Sequence, residues 1–120
     1  LKPVVAWVPD KKTALTYSSH RLLEARSLAM HAVVARKISR DPGLLAIAHR
    51  NVERWSARWT EEDAPAWFHE WQEVLKQPWQ HVAALITEPS EHAARLRQSS
   101  PFAGVLSVSE RKRIYDALRA

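Results

Sequence analysis

The chain predicts an all-α fold: a compact bundle of five or six short helices behind an extended N-terminal leader. Three observations carry that expectation. Five of the seven prolines, Pro42, Pro65, Pro78, Pro89 and Pro101, cut the sequence into pieces of helical length. Proline suits the first turn of a helix, where its missing N–H has no partner to lose and its φ is already helical. Three of the five directly follow Asp41, Glu88 or Ser100, and Asp or Ser at that place caps free N–H groups. Between the prolines, apolar residues recur at the helical period rather than at period two. Finally, Ser107 and Glu110 have the spacing of a capping box.

Residues 1–16 read as a leader or interaction arm, and 17–120 as a single helical domain. Val4, Val5, Trp7 and Val8, between Pro3 and Pro9, favour an extended strand. A lone strand must pair with another chain, lie on the helical body or stay mobile; in the first case these four residues dock on another protein, with Trp7 as the anchor. The first helix is expected from about Ser18 to Arg40. Leu22, Leu23, Met30, Val33, Val34 and Ile38 form its apolar arc, and Arg36, Lys37 and Arg40 suit the negative end of its dipole.

The second helix is expected from Pro42 to about Trp59. Leu44, Leu45, Ala48, Val52, Trp55 and Trp59 fall within an arc of about 100° at 3.6 residues per turn. Pro65 opens a third helix to about Lys76, with Trp67, Phe68, Trp71, Val74 and Leu75 at core spacing. Pro78 opens a fourth, with Trp79, Val82, Ala83 and Ile86 on one face, and Pro89 a fifth, to about Gln98. In the segment Ser100 to Leu106, Ser100 caps, Phe102 plugs the core and Gly104 allows a sharp bend. Ser107 starts the last helix, to Leu118. The core is expected to contain Val52, Trp55, Trp71, Leu75, Val82 and Ile86.

Composition excludes several function classes. Two glycines leave no Gly-rich phosphate loop. The absence of cysteine excludes disulfides and cysteine-based zinc sites and fits a reducing cytoplasm. No apolar run approaches the roughly 18 residues that span a bilayer, and the apolar core of LKPVVAWVPDKK is too short for a signal peptide. Net charge is +5 and uneven: residues 1–59 hold eleven basic and four acidic side chains, residues 60–120 seven and nine. That asymmetry suggests an anionic partner, nucleic acid or an acidic protein, as against a merely solvated basic surface.

Candidate chemistry is sparse. Arg50, Arg54 and Arg58 stand one above another at i, i+4 and i+8, a guanidinium row suited to phosphates or carboxylates. Arg26 and His31 match the R-x4-H spacing of HEPN ribonucleases, but a chain with this many Arg and His produces that spacing by chance. His69, Glu70 and Glu73, and Glu88, Glu91 and His92, do not match H-E-x-x-H. No catalytic residue, metal ligand or cofactor is therefore assigned, and the chain is expected not to be an enzyme.

One stretch is distinctive: E-H-A-A-R-L-R-Q-S-S-P-F-A-G-V-L followed by S-x-x-E-R-x-R-I. It resembles a group of small helical bacterial proteins ending R-Q-x-S-P-F-A-G-x-L-S-x-x-E-R. The earlier stretch from His31 through Trp55, an alanine-rich helix, R-x-D-P and a helix ending E-R-W, is similar to the same group. Such proteins are encoded beside nucleotidyltransferase-like partners, as in toxin–antitoxin pairs. The resemblance implies a cytoplasmic antitoxin-like protein that binds and neutralises a toxin. The segment itself reads either as a folding element or, alternatively, as a polar surface of Arg95, Arg97, Gln98 and Ser99 that docks a partner. The alternative is a small basic nucleic-acid-binding or autoregulatory protein using Arg50, Arg54 and Arg58.

Overall fold

A computed structural model of the chain describes the backbone of residues 11–118 and the side chains of 19–118. Among these residues there are six α-helices and no strand. They are α1 (Lys11–Arg40), α2 (Leu45–Ser56), α3 (Ala66–Val74), α4 (Trp79–Ile86), α5 (Glu91–Gln98) and α6 (Val108–Ala117), with a 3-10 turn at Pro42–Leu44 between the first two. The all-helical bundle is as expected.

Helix α1 begins at Lys11, and the first ten residues of the expected leader lie outside the described residues. At 1.5 Å per residue this helix is about 45 Å long. It is the spine on which α4, α5 and α6 pack. Burial is concentrated in its C-terminal half, where His31, Val34 and Ile38 point inward, while Ser19, His20, Arg21, Leu23, Glu24 and Ala25 are exposed.

Four of the five prolines mark helix starts, though not all by the expected caps, whereas Pro101 opens a turn and no helix follows it before α6. Pro42 opens the 3-10 turn, and Asp41 makes no side-chain cap there. Pro65 and Pro78 sit just outside α3 and α4, in extended conformation. In α5 the cap is Ser90, whose Oγ accepts from the Ala93 N–H at 3.1 Å, rather than Glu88 before Pro89. The α6 capping box is complete: Ser107 Oγ accepts from Glu110 N–H, and the Glu110 carboxylate accepts from Ser107 N–H.

The core joins Val34, Ile38, Ala48, Val52, Phe68, Trp71, Leu75, Val82, Ile86, Leu96, Phe102 and Val105. Five of the six expected core residues are buried; Trp55 is half-buried. Trp71 is completely enclosed, and its indole N–H donates to Ser99 Oγ at 3.2 Å, which satisfies the one polar atom a buried tryptophan carries. Trp55, Trp59, Trp67 and Phe68 stack edge-on or tilted, with centroids 5.2–5.9 Å apart for three of the pairs, and close the α2–α3 corner.

Candidate functional site

Residues 99–106 form the turn between α5 and α6, against the middle of α1. Phe102 is buried and meets Trp71 edge-on at 5.9 Å and His31 at 6.2 Å. Gly104 has φ +97°, a left-handed conformation that side chains with a Cβ resist. Space is not the constraint there, since a Cβ would sit 3.6 Å from Ile47. Asn51, from α2, clamps the turn: its amide donates to the carbonyls of Pro101 at 2.7 Å and Ala103 at 3.0 Å, and its Oδ1 accepts from Arg54 at 3.0 Å. From the other side, Lys37 donates to Val105 O at 2.8 Å and pairs with Glu110 at 2.7 Å. That ammonium, first, and the Ser107 N–H, second, hold the Glu110 carboxyl down at about 2.

His31 is buried with both ring nitrogens engaged. Nδ1 lies 2.7 Å from the Ser27 carbonyl, and Nε2 lies 2.8 Å from Ser100 Oγ. A carbonyl only accepts, so Nδ1 carries the proton and Nε2 accepts from the serine hydroxyl. Burial pushes the imidazole below its ordinary value, and the charge of Arg97 adds to that, against the Ser27 hydrogen bond. A neutral His31 so held is a structural post. Arg26 turns elsewhere: its Nε donates to Leu118 O at 3.1 Å, and its guanidinium lies 4.6 Å over the Tyr115 ring. The R-x4-H spacing therefore does not assemble a shared site.

Arg97 is 6% exposed. Its Nη1 donates to Ile86 O at 3.3 Å and Glu88 O at 2.7 Å, closing the C-terminal end of α4, where a cation also suits the dipole. Its Nε has no acceptor. Desolvation lowers the guanidinium's affinity for its proton, while Glu24 and Glu88 act in the opposite sense.

Three concavities meet at this side chain, one of them a surface groove shared with Arg21, Glu24 and Glu91. A second, of about 220 Å³, lies among α1, Arg97, the 100–106 turn and the start of α6. A wider groove of about 430 Å³ runs between the outer part of α1, α5 and α6, lined by Leu23, Arg26, Met30, Gln98 and Tyr115 among others. Leu23 is 56% and Tyr115 38% exposed there, two of the three large hydrophobic residues left exposed among those described.

The residues expected to form sites are dispersed. Arg95 and Gln98 are on the surface, Ser99 is half-buried beneath Trp71, and Arg97 is inside. They do not make one docking surface, because Arg95 and Arg97 are about 200° apart around the helix. Helix α2 ends at Ser56, so Arg50 and Arg54 stand on it but Arg58 lies in the following turn, its N–H bonded to Trp55 O. The turn lets Trp59 pack on Trp67 and Phe68. All three arginines are exposed. His92 and Glu70 pair at 2.6 Å across α5 and α3, and no metal-binding cluster occurs among the described residues. Val4, Val5, Trp7 and Val8 lie outside the described residues.

Three residues that matter here went unassigned or misplaced in the sequence, yet left a trace. His31 shares the helical face of Val34 and Ile38. Asn51 adjoins the apolar arc of α2. Arg97 continues the stripe of Ala93 and Leu96. A polar residue on an apolar stripe signals a buried hydrogen-bonding role.

No protein-family model matches the chain, and neither a curated protein nor a solved structure matches it.

Proposed function

We propose that this domain is a bacterial, cytoplasmic antitoxin-like protein without catalytic activity of its own, which neutralises a nucleotidyltransferase-like toxin by direct binding. The partner's identity comes from the sequence resemblance over the R-Q-S-S-P-F-A-G segment and the stretch from His31 through Trp55. The observation that carries the binding role is the α1–α5–α6 groove. An exposed leucine, a tyrosine under an arginine and a glutamine line one concave strip, and Tyr and Arg are the residue types most often found to dominate interface energetics. A partner helix laid into such a groove is a recurring mode of recognition. Among the described residues no helix is long and apolar enough to cross a membrane.

The leader is the second contact in this proposal. Val4, Val5, Trp7 and Val8 supply alternating side chains for strand addition at the partner's sheet edge. Helix α1 starts at Lys11, so removal of residues 1–10 tests the arm while leaving that helix whole.

The test is co-expression with the product of the adjacent gene. A complex should co-purify and any growth defect caused by that product should be relieved. Leu23→Glu and Tyr115→Ala should each weaken the complex by about thirtyfold, the effect of losing a typical anchor. Neither complex nor relief would end the antitoxin proposal; a complex untouched by both changes would move the interface elsewhere.

A second reading is kept by the exposure of Arg50, Arg54 and Arg58. If they bind nucleic acid, affinity should fall steeply with salt as neutralised phosphates release counterions. The absence of a gel shift at low salt, on specific and random duplex, would remove it.

A further inference from the structure

We propose that the cavity beside α1 and the 100–106 turn binds a small carboxylate with an apolar body, its charge held by Arg97 and Arg111. This inference does not depend on the antitoxin proposal. The cavity lining contains both arginines and no aspartate or glutamate. A buried guanidinium normally has its charge matched by a carboxylate at close range. Arg97 is in no ion pair of the described residues: Glu88 meets it through its backbone carbonyl, and Glu24, across the neighbouring grooves, acts on its charge without a direct contact.

The guanidinium's hydrogen bonds are one-sided. Both contacts to the end of α4 come from Nη1. Nε is the one buried side-chain N or O atom without a partner among the described residues. An acid lodged in the cavity would give the buried charge its counterion. Arg111, exposed on the first turns of α6, adds a second positive charge to the cavity wall.

The remaining walls decide against a bare inorganic anion. Met30, Val34, Phe102 and Leu106 are apolar, and the polar atoms of His31 and Ser100 are engaged with each other, with the Ser27 carbonyl and with the Phe102 N–H. A ligand that meets this lining has one charged end and a hydrocarbon end. The volume, about 220 Å³, suits a short aliphatic or aromatic acid rather than a large metabolite.

The test uses the full chain labelled with nitrogen-15, observing the Arg97 Nε–H resonance. Acetate, butyrate and hexanoate are titrated at constant ionic strength against chloride, with inorganic phosphate as comparison. The Arg97 signal should move saturably, with affinity rising from acetate to hexanoate by up to about fourfold for each methylene buried. The thermal midpoint should rise with hexanoate concentration as mass action requires. Arg111→Gln, at an exposed position, should keep the unliganded midpoint and weaken binding at least threefold. Arg97→Lys should abolish binding; because it also disturbs the α4 end, the Arg111 variant carries the decision if it unfolds. An Arg97 signal unmoved throughout the hexanoate titration overturns the proposal. So does phosphate binding as well as hexanoate, or an Arg111 variant that binds as the parent does.

Discussion

Replacing Asn51 by alanine should destabilise the domain by about 2–4 kcal/mol, the sum of two lost amide–carbonyl bonds and the burial of acceptors left without donors. The structure sets that figure. Asn51 is 7% exposed, and its amide donates to Pro101 O and Ala103 O at 2.7 and 3.0 Å. Alanine cannot replace either bond, and the Pro101 bond is buried. For a domain of this size, 1 kcal/mol moves the thermal midpoint by roughly 4 °C, so the expected drop is about 8–16 °C. Asn51→Asp should do at least as much harm, because it sets acceptor oxygens against two carbonyls. Arg54→Ala removes only the outer bond to Oδ1 and should cost under about 1 kcal/mol. Differential scanning fluorimetry and urea denaturation of the three variants measure these values. A midpoint for Asn51→Ala within 2 °C of the parent would show that the turn is held by Phe102 packing and not by the clamp.

Further predictions are more direct. Trp71→Ala should cost about 3–5 kcal/mol, as large aromatic truncations in cores do, and unfold the α3–α5 contact first in hydrogen exchange; retention of parental stability would contradict the enclosure of that ring. The Glu110 carboxyl is depressed from 4.5 to about 2, so its contribution is present above pH 4.5 and is lost as pH falls toward 2. Glu110→Gln should lack that component of the acid-induced loss in urea denaturation, and an identical pH profile in the two proteins would count against the Lys37–Glu110 pair. His31 is depressed from 6.5; its contribution is present above 6.5 and declines as pH falls from there toward the lowered value. Nitrogen-15 spectra above pH 7 should show a neutral ring protonated at Nδ1, and a neutral ring protonated at Nε2 would refute the assigned tautomer.

Legibility in the sequence followed the physics of each feature. The α6 box was readable because both its partners lie within four residues, and Val52, Trp71, Leu75, Val82 and Ile86 were readable because burial follows the helical period. Helix ends were less readable. The early stop of α2 comes from Trp59 finding Trp67 and Phe68, and the choice of Ser90 over Glu88 as a cap comes from how Pro89 is placed outside the helix. The candidate groove was not readable, since Leu23 and Tyr115 are 92 residues apart and meet only in the folded chain. Arg97 shows the same limit. Its polarity suggests a surface role, whereas the carbonyls that receive it belong to Ile86 and Glu88, eleven and nine positions earlier.

If the α1–α5–α6 groove receives a protein partner, hydrogen–deuterium exchange on the complex with the adjacent gene product should show added protection over residues 20–30, 94–98 and 114–118, centred on Leu23, Arg26, Gln98 and Tyr115, with no added protection at the α2–α3 corner of Trp55, Trp59 and Trp67. Protection confined to that corner, or to the arginine-bearing face of α2, would contradict that placement.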